Sequence, residues 1–314
     1  MEPPLRTYRE IANKLGLSIK QAKRLLEDAV RKREDDKPIL TLKVLPPSLE
    51  MALETELMRR WKLAEVRVVP SLNAEEGFKL LGQTAVNLLT SMIGSKKSFV
   101  VGLGGGSAIR AMVEALNVKR IFKNFPELSR LSICALAQNP FPKVLSVTPQ
   151  TLVAPIASRY SDQAGMEICY YGAQRAEELD AIFVGIGSML PPDNLSYFLD
   201  SEPNLSVIRD KLAGLILFQF ITHNGEILPT GWMTKLKAMP LTELRGMVRQ
   251  GKPVVIVAYG AHKAPAILAA CKANLFNCLV VDRALAERLL ELSENETTEL
   301  WYNHDDGEDG REKL

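Results

Sequence analysis

Phe99-Val-Val-Gly-Leu-Gly-Gly-Gly-Ser107-Ala-Ile-Arg-Ala-Met-Val-Glu-Ala-Leu116 is an apolar strand, a glycine cluster and a helix in immediate succession. Ile109, Met112, Val113 and Leu116 recur at helical spacing. Gly104, Gly105 and Gly106 permit positive φ and close backbone approach. Ser107 is suited to cap the helix, leaving its first N–H groups aimed at an anion. Such a turn at the carboxyl end of a strand is how α/β domains hold phosphate. The same residues also suit a tight strand-to-helix turn that holds no ligand.

Outward from this stretch the chain alternates. Strands are expected at Val66 to Val69, Ser98 to Leu103, Leu131 to Leu136, Ala181 to Ile186, Ile216 to Thr222, Pro253 to Ala258 and Cys278 to Val281. Helices are expected at Ser48 to Trp61, Ala74 to Ile93, Ser107 to Leu116, Thr151 to Tyr160, Leu241 to Arg249, Lys263 to Lys272 and Arg283 to Leu292. The turn His223-Asn224-Gly225-Glu226 follows the fifth strand. Strands that are apolar throughout, each followed by an amphipathic helix, imply a parallel sheet covered on both faces. The predicted class is α/β: a small N-terminal helix-turn-helix, then a doubly wound, mostly parallel sheet domain. The expected boundaries are residues 1–45 and 46–314. Between them, Glu34-Asp35-Asp36-Lys37-Pro38 suits a loop or hinge. A short strand, Ile39 to Val44, follows, and the tail from Ser293 is expected to be mobile.

The 314 residues are 46% hydrophobic and 24% charged, with a formal net charge of +2. That balance is ordinary for a globular chain and gives no global field for nucleic acid, so any basic surface is local. Cys134, Cys169, Cys271 and Cys278 form no Cys-x-x-Cys pair, which fits reduced thiols. His223, His262 and His304 have no metal-ligand spacing. No metal and no cofactor is expected. No apolar run reaches membrane-spanning length and no signal-peptide core opens the sequence, so the expected location is cytoplasmic.

The first segment reads differently. Ile11, Ala12 and Leu15 form one apolar helical face, Gly16 permits a turn, and Leu17 fills the gap behind it. Ser18 is a natural N-cap for a second helix, on which Ala22, Leu25 and Leu26 face inward. Lys20, Gln21, Lys23 and Arg24 face outward near its start, where a recognition helix meets bases and phosphates. Ser18, Lys20, Gln21, Lys23 and Arg24 are therefore the candidate DNA contacts. Only Met1 to Arg6 precedes this motif, and Pro3-Pro4 disfavours a supporting helix there.

In this order, several blocks carry a family resemblance. They are the helix-turn-helix, Val101-Gly102-Leu103 with Gly106, Ala181-Ile-Phe-Val-Gly-Ile-Gly-Ser188, Val254 to Ala258 with Gly260 and Lys263, and Leu279-Val-Val-Asp282. The chain resembles the SorC/DeoR-type sugar-binding transcriptional regulators, which include the central glycolytic genes regulator, from about Thr7 to Leu292. The resemblance implies a homo-oligomer, dimer or tetramer, that binds operator DNA and is released or retuned by a sugar or sugar phosphate. It implies an effector domain like the sugar-phosphate isomerase and deaminase fold. Its effector site would comprise Gly104, Gly105, Gly106, Ser107, Gln138, Gln150, Gly187 and Lys263, with Lys263 contacting the anion. Ser107 stands where relatives commonly carry Thr or Arg. Leu215 stands where they carry an acidic residue, and Tyr259 replaces a common glycine.

Two other classes compete. In deaminases of this fold the strand ends in Gly-x-Gly-x-Asp-Gly-His, which supplies proton-transfer groups. Here Gly185-Ile-Gly-Ser-Met-Leu-Pro191 replaces them, and Met and Pro transfer no protons. Asp193 and Asn194, in a Pro-rich loop, are a weak substitute, and His223 in its turn and His262 before Lys263 are lone histidines, so no catalytic residue is expected. A sugar-phosphate-binding protein with reduced or no DNA binding is the second alternative.

Overall fold

The computed structural model describes residues 49–138, 148–169, 176–193, 195, 208–228 and 238–293. In the N-terminal part it describes Ala12, Lys20 to Ala22, Arg24, Arg33–Glu34 and Lys37–Pro38. The chain divides into two compact units, Met1–Ser48 and Leu49–Leu314.

In the first unit, Ala12, Lys20, Gln21, Ala22 and Arg24 are helical. Ala12 and Ala22 are buried, while Lys20, Gln21 and Arg24 are exposed, as the helix-turn-helix pattern predicts. Ser18 and Lys23 lie outside the described residues, as do the expected strand Ile39 to Val44 and the tail beyond residue 293. Where a loop was expected at Glu34 to Pro38, Arg33–Glu34 pairs antiparallel with Lys37–Pro38.

The second unit is built on a seven-stranded parallel sheet. Its strands are β1 (Glu65–Val69), β2 (Ser98–Leu103), β3 (Arg130–Ala135), β4 (Met166–Cys169), β5 (Ala181–Val184), β10 (Val254–Ala258) and β11 (Cys278–Asp282). The spatial order is β1-β11-β10-β5-β2-β3-β4, and every neighbouring pair is parallel. Successive residues point to opposite faces. Thus Val255, Val257 and Val280 join one core with α2 (Ala74–Ile93), α3 (Ser107–Ala115) and α5 (Pro149–Arg159). Val254, Ile256 and Val281 join the other, with α1 (Leu49–Trp61), α6 (Leu241–Arg249), α7 (Ala264–Lys272) and a helix over 283–293, α8. Residues buried on both faces explain strands with no polar alternation.

Helix ends follow from local chemistry. Asn73 caps α2 by accepting the Glu76 N–H at 3.0 Å, and its amide reaches the Glu76 carboxylate at 2.7 Å. After α6, Gly251 at φ 72° turns the chain, and the Lys252 N–H closes on the Met247 carbonyl. Among the described residues no helix is long and apolar enough to cross a membrane.

Four features differ from expectation. Gly106, at φ 104°, occupies the N-cap of α3, and Ser107 is its first helical residue with no side-chain capping bond. A glycine at that φ bends β2 into α3 without strain, which moves the cap one residue earlier. The helix stops at Ala115, and Asn117 caps an unforeseen helix, α4 (Val118–Asn124), by accepting the Arg120 N–H. The edge strand β4 has no fully buried residue and so shows no apolar run. The strand expected at Ile216 to Thr222 is instead a hairpin of β7 (Leu212–Ile216) and β8 (Gln219–Thr222). Leu217 and Phe218 turn it at φ 47° and 64°. A non-glycine residue pays about 1–2 kcal/mol for that backbone; burial of both side chains offsets it. With β6 (Gly187–Ser188) and β9 (Ile227–Leu228) this hairpin makes a second, antiparallel sheet, ordered β9-β8-β7-β6.

Candidate functional site

The order of the parallel sheet reverses between β2 and β5. From β2 the chain winds outward through β3 and β4, then returns to β5 on the other side and continues to β10. A crevice opens outside the carboxyl ends of such strands, and ligands of open α/β sheets bind there. Three connections form its walls: 104–107 after β2, 185–193 after β5, and 259–263 after β10.

The first two walls touch. The Gly104 N–H donates to the Phe183 carbonyl at 2.8 Å, and the Gly185 N–H to the Gly105 carbonyl at 3.2 Å. Gly104 is buried and its donor is paired, so the backbone of Gly105, Gly106 and Ser107 is what this loop presents. A Cβ on Gly185 would lie 2.4 Å from the Gly105 oxygen. Glycine at 185 is what permits that approach. The first-turn N–H groups of α3 have no intrahelical acceptor and carry the positive end of the helix dipole.

The third wall carries the charge. Lys263 donates to the Ile186 carbonyl at 2.8 Å and forms an ion pair with Asp193. The same Asp193 oxygen, Oδ2, accepts the Ser188 N–H at 2.8 Å, and its Oδ1 lies 3.3 Å from His262 Nε2. Ser188 Oγ donates to the His262 carbonyl at 2.8 Å and accepts the Leu190 N–H at 3.1 Å. Burial alone would raise the pKa of Asp193. The Lys263 charge and hydrogen bonds from Lys263, Ser188 and His262 outweigh that and hold it below the usual carboxylate range. Asp193 is therefore ionised at neutral pH. The stability this pairing contributes is present above the ordinary carboxylate pKa and is lost as acidification protonates Asp193.

Two further contacts fix this wall. The buried carboxylate of Asp282, at the end of β11, accepts the Gly260 N–H at 2.7 Å and the Ser71 hydroxyl at 3.0 Å. Gly260 has φ 99°, and its bond to Asp282 fixes the turn ahead of Lys263. Asp282→Ala leaves those donors without their acceptor. It is expected to lower stability by about 1–3 kcal/mol in urea unfolding. Tyr259 donates to the Leu72 carbonyl at 2.6 Å, and its ring lies 5.0 Å from that of Phe78. A Cβ on Gly77 would meet the Tyr259 ring at 2.4 Å. Tyr259 is thus docked on the start of α2.

The remaining expected residues are more dispersed. Gly187 pairs with Leu215 in the antiparallel sheet, and Leu215 is buried in the core. Gln138 is half-buried beyond β3, and Gln150 is exposed in the first turn of α5. Among the described hydrogen bonds neither joins the Asp193 cluster. Ser107 and Arg110 line an open cleft of about 590 Å³ between α2 and α3, with Phe78 on its other side. Lys263 does not line it. Asp193, Ser188 and Asp282 escaped the candidate set because each is joined to the site through space. The signal available was that a lysine at a strand end needs an acidic neighbour. Among the described residues no group of three or more His, Cys, Asp or Glu could hold a metal. Burial pushes the Cys278 thiol up to about 12 and raises that of Cys134.

Comparison with known proteins gives one consistent picture. The family model described as "Putative sugar-binding domain" matches residues 46–164 and 172–291. The sorbitol operon regulator of Klebsiella pneumoniae is 26% identical over 313 residues, covering 91% of this chain and 93% of that protein. The transcriptional regulator LsrR of Escherichia coli K12 is 26% identical over 306 residues, covering 90% of each. The crystal structure of full-length SorC from Klebsiella pneumoniae superposes with a TM-score of 0.64 at 24% identity, over 91% of this chain and 94% of that one. A DeoR family transcriptional regulator from Listeria monocytogenes superposes at 0.56, with 20% identity, over 76% of this chain and 99% of that one.

Proposed function

Because the chain belongs to the SorC/DeoR-type family of sugar-binding transcriptional regulators, we propose that it binds operator DNA through residues 1–45 and a phosphorylated sugar through residues 46–314. The observation that carries this reading is that the loop after β2 and the loop holding Lys263 both bond the connection after β5, through Gly105–Gly185 and Lys263–Ile186, at the carboxyl ends of neighbouring strands where the sheet reverses. Helix N-terminal donors and a cation at the same end of the sheet suit a phosphomonoester. The pairing of Asp193 with Lys263 supports a binding rather than a proton-transfer role for this cluster. No reaction is assigned.

Basic helices bind cooperatively when an oligomer presents them in pairs to symmetric half-sites. A homo-oligomer, dimer or tetramer, is therefore part of the proposal, and a cytoplasmic location follows from the operator as partner. The effector changes operator affinity through its different affinity for two arrangements of that assembly.

Two experiments test the reading. Thermal unfolding is followed against hexose and pentose phosphates and their unphosphorylated parents. A phosphorylated sugar is expected to raise the midpoint, since a ligand of the native state stabilises it. Equal or absent shifts for phosphorylated and parent sugars contradict the proposal. Lys20 and Arg24 are exposed one helical turn apart. Arg24→Ala is expected to weaken operator binding in gel shifts and to leave the sugar-phosphate thermal shift intact. Wild-type protein that shifts no operator fragment while still binding the sugar phosphate favours an effector-binding protein without DNA binding.

A further inference from the structure

The crevice already contains an anion of its own. Asp193 offers a carboxylate to three donors from two different walls: the Ser188 N–H, the Lys263 ammonium and the His262 ring. All three side chains are largely shielded, with Asp193 24% exposed, His262 18% and Lys263 13%. We propose that Asp193 is a self-ligand: without effector its carboxylate occupies the seat of a phosphate, and an incoming phosphomonoester displaces it from Lys263. This inference rests on the reading of the crevice as the effector site.

The chemistry favours exchange over addition. Lys263 directs two of its three N–H donors at Asp193 and Ile186, so a phosphate gains the donor held by Asp193 only when the carboxylate leaves. A phosphate carries more charge than a carboxylate and presents more oxygens to the same donors. The carboxylate competes through its tether, which gives it a high local concentration. The apparent affinity is then lower than the intrinsic affinity by the fraction of molecules in which Asp193 has withdrawn. A neutral sugar brings no charge to replace a carboxylate beside a lysine, so the arrangement favours phosphorylated effectors. It also supplies a two-position element. The segment after β6 is tied to the third wall by Asp193 and by Ser188 Oγ, which bonds both the His262 carbonyl and the Leu190 N–H. Loss of the Asp193 contacts loosens this segment whenever phosphate is bound.

The test is calorimetric titration of inorganic phosphate, and of the best sugar phosphate from the thermal screen, into full-length wild type, Asp193→Asn and Lys263→Ala. Asp193→Asn keeps the shape and removes the competing charge. It is expected to bind phosphate roughly 3–10-fold more tightly than wild type. Unchanged or weaker binding overturns the self-ligand, weaker binding marking Asp193 as a contact of the ligand itself. Lys263→Ala reports on the underlying reading: phosphate binding as in wild type removes the crevice as the anion site. Loss of binding in Lys263→Ala without tightening in Asp193→Asn removes the self-ligand alone. Hydrogen exchange on wild type covers the case of an unfolded variant. Peptides spanning residues 189–193 are expected to exchange faster when phosphate saturates the protein. Unchanged or slower exchange overturns the proposal.

Discussion

Lys263→Ala is expected to weaken sugar-phosphate binding by roughly 10–100-fold while operator binding without effector stays at the wild-type level. A hydrogen bond to a charged group is worth about 1.5–3 kcal/mol, and each 1.4 kcal/mol is about tenfold in affinity. The loss is compounded because the substitution leaves the Asp193 carboxylate beside the site with no cation. That carboxylate then opposes phosphate entry, since like charges close together are unfavourable. Residual partners remain, as the Ser188 N–H still reaches Asp193 at 2.8 Å. A lower unfolding midpoint is therefore expected for the ligand-free variant, with secondary structure retained. Calorimetry measures the first effect, circular dichroism the second, and a gel shift without effector the third.

Gly185→Val is expected to lose the effector response and to destabilise the second unit by about 1–3 kcal/mol, the usual cost of forcing atoms into a packed region. The conflict is steric. A Cβ at 185 meets the Gly105 carbonyl oxygen at 2.4 Å, and that oxygen belongs to backbone that accepts the Gly185 N–H. No side-chain rotation relieves the contact, so the loop before α3 must move. The first wall then separates from the second, and the contact between the Gly105 and Gly185 backbones is lost. Urea unfolding reads the stability change, and the sugar-phosphate thermal shift reads the function. Val at Gly246, where an added Cβ meets nothing within 4 Å, is the control for a glycine replaced without steric conflict.

Most of the sheet was legible because its strands are buried on both faces. Val254–Ala258 and Cys278–Asp282 are buried at every position, and uninterrupted apolar runs bounded by turns are easy to find. The long helices were legible for the complementary reason, that one apolar face repeats every 3.6 residues. The turn Leu217-Phe218 carries none of the Gly or Asn signal that marks a tight hairpin, so β7 and β8 read as one strand. Strand β4 packs at the edge with every residue at least partly exposed, and only two residues separate the end of α3 from the start of α4. In the site, the 104–107 loop announced itself by local pattern and Lys263 by the family resemblance. Their counterparts did not: Asp193 lies 70 residues from Lys263, and Asp282 lies 22 from Gly260. Only the parallel winding brings them together. Position in the fold also separated members of one motif. Gly104 is buried and spent on the β2–β5 pairing, while Gly105 and Gly106 are half-buried.

The account turns on whether an anionic sugar in the crevice controls the basic helices. Fluorescence anisotropy of a labelled operator, titrated with protein at a saturating concentration of a sugar phosphate shown to bind, tests this directly. The midpoint is expected to shift in wild type and to stay fixed in Lys263→Ala. A wild-type midpoint that does not move with any sugar phosphate the protein binds would contradict it.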